Sequence, residues 1–173
     1  CQRFKPEHVP YPGLLQPLPI PHLAWTHLTM DFIESLQESQ GYNTVLVIID
    51  RLTKVGHFLA LAHPFTAKQV AQLFLDNIFR LHGIPESLVT DRDKIFTSAF
   101  WQELFRLAGT ELKYSSAYHP QSDGQSERLN QCAETYPRCM TGEFLQNWSR
   151  WPPLAAWWYN SSYHSSLQLT PFE

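Results

Sequence analysis

The sequence has few cysteines, and their positions argue against a disulfide between Cys132 and Cys139 and against a complete zinc site. Cys1, Cys132 and Cys139 are the only cysteines among 173 residues. Cys132 and Cys139 lie seven positions apart in a helical pattern, which separates them by about 10 Å, beyond the reach of a disulfide. Cys1 has no histidine or cysteine beside it, so this chain by itself does not complete a four-ligand zinc site.

The chain also lacks long apolar runs and an excess of positive charge. No run approaches the roughly 20 apolar residues that span a bilayer, and the start of the chain, with Arg3, Lys5 and Pro6, does not resemble a signal peptide. We therefore expect a soluble intracellular protein with no membrane partner. The formal net charge of -3 favours a small-molecule enzyme over a nucleic-acid binder. Metal-binding carboxylates add negative charge of their own, however, and flanking domains supply DNA affinity in many proteins.

The chain does contain enough apolar material for one folded domain. Hydrophobic residues make up 43% of it and aromatic residues 14%, which supports a real core at this length. Residues 1–22 are rich in proline and have no periodic pattern, so they are predicted to be an extended linker. Residues 23–173 are predicted to form the domain.

The pattern of apolar residues predicts alternating strands and helices. The predicted elements, in chain order, are strands at 25–33, 43–52 and 55–62, a helix from Thr66 to Gly83, a strand at 87–90, a helix at 98–108 and a strand at 110–114. The second strand is a continuous apolar run, which indicates a central strand buried on both faces. This order predicts an α/β fold with a five-stranded mixed sheet flanked by helices.

The last third of the chain combines a loop with two helical patterns. Residues 115–124 are typical of a surface loop, and Ser122 to Gln125 fits a capping box that begins a helix with Glu127 in its first turn. A final aromatic segment covers residues 148–163, and Pro152-Pro153 marks its start.

Three carboxylates on three separate elements are the candidate catalytic residues. Asp31 lies inside an apolar strand, Asp91 ends the short fourth strand, and Glu127 opens a helix. Each of these acids taken singly is more often a cap or a turn former, but an unpaired carboxylate within a strand is costly unless a cation or donors meet it. Hard divalent ions prefer several oxygen ligands, and paired ions promote in-line phosphoryl transfer. The three acids together therefore indicate a metal-dependent phosphoryl-transfer site.

The spacing and the surrounding residues resemble a known family. Asp91 and Glu127 are separated by 35 residues, as in the D,D-35-E signature of retroviral and retrotransposon integrases. Three segments add to the likeness: residues 89–94 (VTDRDK), 117–130 (AYHPQSDGQSERLN) and 159–172 (YNSSYHSSLQLTPF). Over nearly its whole length the chain resembles the integrase catalytic core of gypsy-type LTR retrotransposons, particularly those of plants, within the retroviral integrase superfamily.

This resemblance implies a ribonuclease-H-like fold, which the predicted order of strands and helices fits independently. It also implies that Asp31, Asp91 and Glu127 bind two Mg²⁺ or Mn²⁺ ions, that the enzyme trims the 3′ ends of the element's DNA, and that it joins them to target DNA. Double-stranded DNA and further copies of the chain are the implied partners. The implied location is the nucleus at integration and a cytoplasmic particle before it. Residues 1–22 resemble the end of a truncated zinc-binding N-terminal domain with Cys1 as its last ligand, so zinc is expected only in the absent part of that domain.

Other polar residues have weaker predicted roles. Residues of the loop and the following helix are predicted to contact DNA, although a solvated surface explains them equally well: Tyr118, His119, Gln121, Arg128, Asn130 and Gln131. Asp50 and Asp93 are predicted to have solvent-facing turn roles rather than to be ligands. Four histidines have no spacing typical of a metal site and are interpreted as ordinary core or surface residues: His22, His27, His57 and His63.

Two alternative functions share these features. A nuclease or cut-and-paste transposase would use the same carboxylates on a different substrate. A decayed or domesticated copy would bind DNA or a partner without chemistry. Pro137 favours decay, because it lies inside the predicted helix, where it removes a hydrogen bond to Ala133 and where similar plant elements typically have leucine. Pro152 also stands where those relatives usually have leucine. No G-x-S-x-G segment or phosphate-binding loop supports a hydrolase or an NTPase.

Overall fold

Runs of β-branched and apolar residues form five strands in the computed structural model, which describes residues 21–34, 36–114, 148–150, 152–164 and 167–173. The strands are β1 (His27–Ile33), β2 (Thr44–Asp50), β3 (Gly56–Leu61), β4 (Ser87–Thr90) and β5 (Glu111–Tyr114). They form one sheet in the order β3-β2-β1-β4-β5. β1 pairs antiparallel with β2 and β2 with β3, whereas β1 and β4, and β4 and β5, are parallel. The predicted five-stranded mixed sheet is confirmed.

β2 is the most completely covered strand of the sheet. All seven of its residues are buried, as its continuous apolar run predicts. The middle position belongs to β1 rather than to β2, because β4 returns to pair with the other edge of β1. β2 is therefore an interior strand, one place from the edge strand β3.

The first helical segment begins at a capping box and ends at a glycine. The Thr66 hydroxyl accepts the N–H of Gln69 at 3.3 Å, and the Gln69 side chain accepts the N–H of Thr66 at 2.8 Å, which satisfies two donors at the start of the helix. The segment comprises α1 (Ala67–Phe74), a π-helical turn (Leu75–Phe79) and α2 (Arg80–His82). Gly83 ends it with a φ of 84°, a conformation that suits glycine.

Two further helices cover the sheet. α3 (Ala99–Ala108) begins at Ser98, whose hydroxyl accepts the N–H of Trp101, and ends at Gly109 with a φ of 77°. A 3-10 turn (Trp148–Arg150) precedes α4 (Pro152–Ser161), which starts at Pro152-Pro153 as predicted. Proline suits the first turn of a helix, where an N–H has no partner within the helix.

The alternation of side chains along the strands produces a core on each face of the sheet. One core lies under α1 and α3 and includes Leu28, Met30, Leu46, Ile48, Leu88, Phe96 and Trp101. The other lies under α4 and includes Ile33, Val45, Val47, Ile49, Phe58, Trp148 and Tyr159. Burial of these side chains by helices on both faces is the α/β arrangement expected from the sequence.

The predicted linker, residues 1–22, lies outside the described residues except for its last two positions. Within the described part of the chain, no helix has the length and apolar character needed to cross a membrane.

Candidate active site

The parallel pairing of β1 and β4 brings two of the predicted acids together. Met30 on β1 is in register with Thr90, the last residue of β4. Asp31 follows Met30 and Asp91 follows Thr90, so one further step along both chains brings the two acids to the same level. Adjacent strands lie about 4.8 Å apart. Continuing the register by one residue therefore places the two acids next to each other on adjacent strands, just past the end of β4.

Asp31 lies on the sheet face that α4 covers in part. It is in register with Val47 of β2, whose side chain belongs to the core beneath α4. Asp31 remains only half-buried, and its Oδ1 accepts the backbone N–H of Phe32 at 2.8 Å. The Phe32 amide therefore restrains one oxygen of the Asp31 carboxylate.

Asp91 is exposed and is oriented by the loop that follows it. Its Oδ1 accepts the N–H of Asp93 at 3.0 Å. Partial burial of the carboxyl group raises the pKa of Asp91, the hydrogen bond from Asp93 lowers it, and repulsion from the Asp93 carboxylate raises it again. A site that disfavours the charged form of an acid gains from a bound cation, because the cation offsets both desolvation and repulsion.

The loop from Asp91 to Ser98 is closed by hydrogen bonds. Asp93 accepts the N–H of Ile95 on its side chain at 2.7 Å, and its carbonyl accepts both the N–H and the hydroxyl of Thr97 at 3.0 Å. Asp93 therefore has the predicted turn role. It is half-buried rather than fully solvent-facing, and its carboxylate bonds the Ile95 amide.

Comparison with known proteins identifies sequence relatives of this chain. No family model matches the chain. It is 39% identical over 174 aligned residues to the Tf2-3 and Tf2-4 transposon polyproteins of Schizosaccharomyces pombe, and the alignments cover 100% of this chain and 13% of each polyprotein. The chain thus spans about an eighth of the length of these relatives.

Solved structures with the same fold are integrase cores and an integrase assembly. The catalytic core domain of BIV integrase superposes with a TM-score of 0.63 at 19% identity, covering 86% of this chain and 91% of that one. The HTLV-2 integrase catalytic core in complex with magnesium, a trimeric form, gives 0.63 at 16% identity and covers 87% and 96%. A simian T-cell lymphotropic virus intasome bound to PP2A regulatory subunit B56 gamma gives 0.70 at 16% identity and covers 99% and 60%.

The chain is related over its whole length to transposon polyproteins and has the fold of integrase catalytic cores. The transposon relatives match it from end to end, and the integrase structures share its ribonuclease-H-like fold. Both parts of the resemblance read from the sequence are therefore confirmed. The likeness to plant elements in particular stays a prediction, since the Tf2 polyproteins are those of Schizosaccharomyces pombe.

The remaining predicted site residues lie outside the described residues. They are Glu127, Tyr118, His119, Gln121, Arg128, Asn130 and Gln131. Within the described ranges, no group of three or more histidine, cysteine, aspartate or glutamate side chains is arranged to hold a metal ion. Asp31 and Asp91 supply the hard oxygen donors that Mg²⁺ and Mn²⁺ prefer, so the two described acids fit the expected cofactor, with the third ligand expected from Glu127.

Asp50 is buried, which corrects the prediction that it faces solvent. Its carboxylate has no exposed surface and accepts the N–H of Trp25 at 3.0 Å and the N–H and hydroxyl of Thr53 at 3.0 and 2.7 Å. Asp50 pairs with Leu28 near the start of β1, at the end of the sheet away from Asp91. Its turn role is confirmed, and three donors offset the cost of burial.

A ring cluster at the same end of the sheet includes a histidine that the sequence analysis did not single out. The His82 ring stacks on Trp25 with centroids 3.6 Å apart, and His57 packs edge-on against both rings. Burial lowers the pKa of both histidines. His27 contacts the Ser87 hydroxyl at 2.6 Å. These are structural contacts, as predicted for His27 and His57.

Proposed function

We propose that this integrase core catalyses metal-dependent 3′-end processing of retrotransposon DNA and its transfer into target DNA. The observation that supports this most directly is the parallel pairing of β1 with β4, whose register ends at Met30 and Thr90, one residue before Asp31 and Asp91. The second supporting observation is that the chain is related over its full length to transposon polyproteins. This chain is a small share of the polyprotein's length, so the activity of the whole polyprotein is also a proposal.

Asp31, Asp91 and Glu127 would hold two Mg²⁺ or Mn²⁺ ions. When bound, such ions activate an attacking oxygen and stabilise a leaving oxygen in phosphoryl transfer. The similar HTLV-2 integrase core was solved with magnesium. Within this chain, the amides of Phe32 and Asp93 orient the two described carboxylates before any ion arrives, which lowers the ordering cost of forming the site.

The proposed partners are double-stranded DNA, as element end and as target, and further copies of the chain. One similar structure is an intasome and another is a trimeric form, which supports an assembly of several copies. Tyr118, His119, Gln121, Arg128, Asn130 and Gln131 are the proposed DNA contacts. Integration itself places the protein in the nucleus, after a cytoplasmic particle stage.

The test is cleavage and strand transfer on a labelled element-end duplex with Mg²⁺, using the intact parent protein. Asp31→Asn, Asp91→Asn and Glu127→Gln should each abolish both activities and leave the unfolding midpoint near that of the parent, because each removes a ligand and preserves size. Asp76→Asn is the matched control, since Asp76 is exposed and accepts a hydrogen bond from Gln72 on its own helical segment. If any one of these three variants kept the parent's activity, the residue that it replaces would not be a metal ligand.

The same assay addresses the alternative of a decayed or domesticated copy. A folded parent protein that binds the duplex and neither cuts nor joins it, with Mg²⁺ or Mn²⁺, would support a binding module in place of an enzyme. Pro137 is the sequence feature that favours this alternative.

A further inference from the structure

Asp93 is hydrogen-bonded to three residues: Asp91, which is the proposed metal ligand, Ile95 and Thr97. Its backbone N–H donates to Asp91 Oδ1 at 3.0 Å. Its own Oδ1 accepts the N–H of Ile95 at 2.7 Å. Its carbonyl accepts two donors from Thr97. The bond from Ile95 closes a short turn that fixes the direction of the Asp93 peptide, and that peptide carries the N–H that orients Asp91.

The turn is connected to the buried core through α3. The Ser98 hydroxyl donates to the Ile95 carbonyl at 2.7 Å and accepts the N–H of Trp101 at 3.3 Å. The Gln102 side chain donates to the Thr97 carbonyl at 3.1 Å. The Trp101 side chain is completely buried, so the helix that anchors the turn does not shift without repacking the core.

Asp91 needs such support because it lies past the end of β4. Among the described residues, the ladders of β4 with β1 and β5 end at Thr90, and the Asp91 residue is exposed. A solvent-exposed side chain samples several rotamers, and selecting one of them for metal binding costs conformational entropy. A donor fixed in direction by the Asp93 turn restricts that sampling before the ion binds.

We propose that Asp93 is a positioning residue that holds the Asp91 carboxylate ready for metal binding, a proposal that rests on the proposed function. The property required at position 93 is a side-chain oxygen that accepts the Ile95 N–H. The negative charge is not required. Asparagine has such an oxygen and alanine has none, so Asp93→Asn and Asp93→Ala separate positioning from charge.

The first measurement is hydrogen exchange in the protein without metal. The amide of Ile95 should exchange at least about tenfold faster in Asp93→Ala, since a lost bond of about 1.4 kcal/mol changes local opening by that factor. Asp93→Asn should exchange like the parent. Asp76→Ala controls for loss of an exposed acid elsewhere. Parent-like exchange in Asp93→Ala would overturn the proposal, because the turn would then form without the Asp93 side chain.

The second measurement is the Mg²⁺ concentration that gives half-maximal cleavage. Removing a group that orients a metal ligand typically weakens metal affinity 10- to 100-fold, so Asp93→Ala should need about tenfold more Mg²⁺ and recover most of its rate at saturation. Asp93→Asn should restore the parent requirement. If Asp93→Asn is as defective as Asp93→Ala, the charge matters and positioning is wrong.

Failure of the proposed function is distinguishable from failure of this inference. If the parent protein does not cleave DNA, Mn²⁺ binding by calorimetry replaces the cleavage assay for the same three variants. Weaker Mn²⁺ binding in Asp93→Ala, restored in Asp93→Asn, would support positioning without any catalysis. Equal Mn²⁺ affinity in the parent and Asp93→Ala would overturn it.

Discussion

The rings of Phe32 and Phe96 stack with centroids 4.8 Å apart and planes 4° from parallel. Phe32 follows Asp31 in β1, and Phe96 lies in the loop that follows Asp91. Phe96 is fully buried, and its carbonyl accepts the Tyr114 hydroxyl at 3.0 Å. The stack therefore connects the two segments that carry the described carboxylates, on the sheet face opposite to Asp31.

Phe96→Ala should destabilise the fold and disturb the site together. Removing a buried phenylalanine costs about 3–5 kcal/mol, and each kcal/mol lowers the midpoint of a domain of this size by about 2–4 °C. We expect a fall of roughly 10 °C in the unfolding midpoint measured by calorimetry. Phe100→Ala is the matched control, because Phe100 is 47% exposed on α3, and it should stay near the parent value. Equal midpoints for the two variants would contradict a stabilising role for the stack.

The elements that local sequence signals define were predictable. The Thr66 capping box begins α1, Gly83 and Gly109 end their helical segments, and Pro152 opens α4. These signals act within a few residues of the boundary they set. The π-helical turn was missed because Val70, Phe74 and Ile78 keep a four-residue apolar spacing through it. The apolar pattern is therefore the same whether the backbone bonds are α-helical or π-helical.

Features that depend on contacts between distant residues were not predictable. Asp50 was expected to face solvent, and one of the donors that allows its burial, the Trp25 amide, comes from 25 residues earlier. The ring cluster joins Trp25, His57 and His82, whose separations match no periodic pattern. Asp31 was identified from its position inside an apolar strand, and Asp91 from its position at a strand end and its spacing from Glu127. A turn role for Asp93 was predicted, whereas its bonds to Asp91 and Ile95 became visible only in the loop geometry.

Asn160 should contribute strongly to the attachment of α4. Its side-chain Oδ1 accepts the Gly56 N–H at 2.8 Å, and its Nδ2 donates to the Gly56 carbonyl at 3.0 Å. Asn160 is 4% exposed, so Asn160→Ala leaves two backbone groups unsatisfied, at about 1–3 kcal/mol each.

We therefore expect Asn160→Ala to lower the denaturant midpoint of unfolding clearly. Ser162→Ala is the control, since the Ser162 hydroxyl is exposed and bonds within its own segment to Trp158. If Asn160→Ala behaved like Ser162→Ala, water would have to replace the amide at Gly56, and the direct bond would be unimportant for stability.

Acid should destabilise the protein through the ring cluster. Burial lowers the pKa of His57, and the neighbouring His82 lowers it further; burial also lowers the pKa of His82, although Asp50 acts in the opposite direction. The unfolded chain therefore binds more protons than the folded protein once the pH falls below the ordinary value of 6.5. Stability is fully present above that value and decreases as the pH falls towards the folded-state pKa values.

The measurement is the thermal midpoint between about pH 5 and pH 8. His57→Gln should make the decline below pH 6.5 shallower, because one of the two titrating groups is removed. His22→Gln, at an exposed position, should leave the decline unchanged. A decline of equal slope in the parent and His57→Gln would assign the acid sensitivity to other groups.

Pro137 and Pro152 offer a matched test of structural decay. Pro152 is the first residue of α4 and is buried, a position where proline is well accommodated, so its presence is no sign of damage. Pro137 lies outside the described residues, and the sequence places it well inside a helix that starts near Ser122. An interior proline loses a hydrogen bond and clashes with the preceding turn, at about 3 kcal/mol or more.

Pro137→Leu should then raise the thermal midpoint by several degrees, as about 3 kcal/mol would in a domain of this size. Pro152→Leu should give no such gain, because leucine restores no hydrogen bond in the first turn of α4. The two variants make the same chemical change, so their difference isolates the position within the helix. An unchanged or lower midpoint in Pro137→Leu would mean that the fold accommodates the proline, and the hypothesis of a structurally decaying copy would lose its main support.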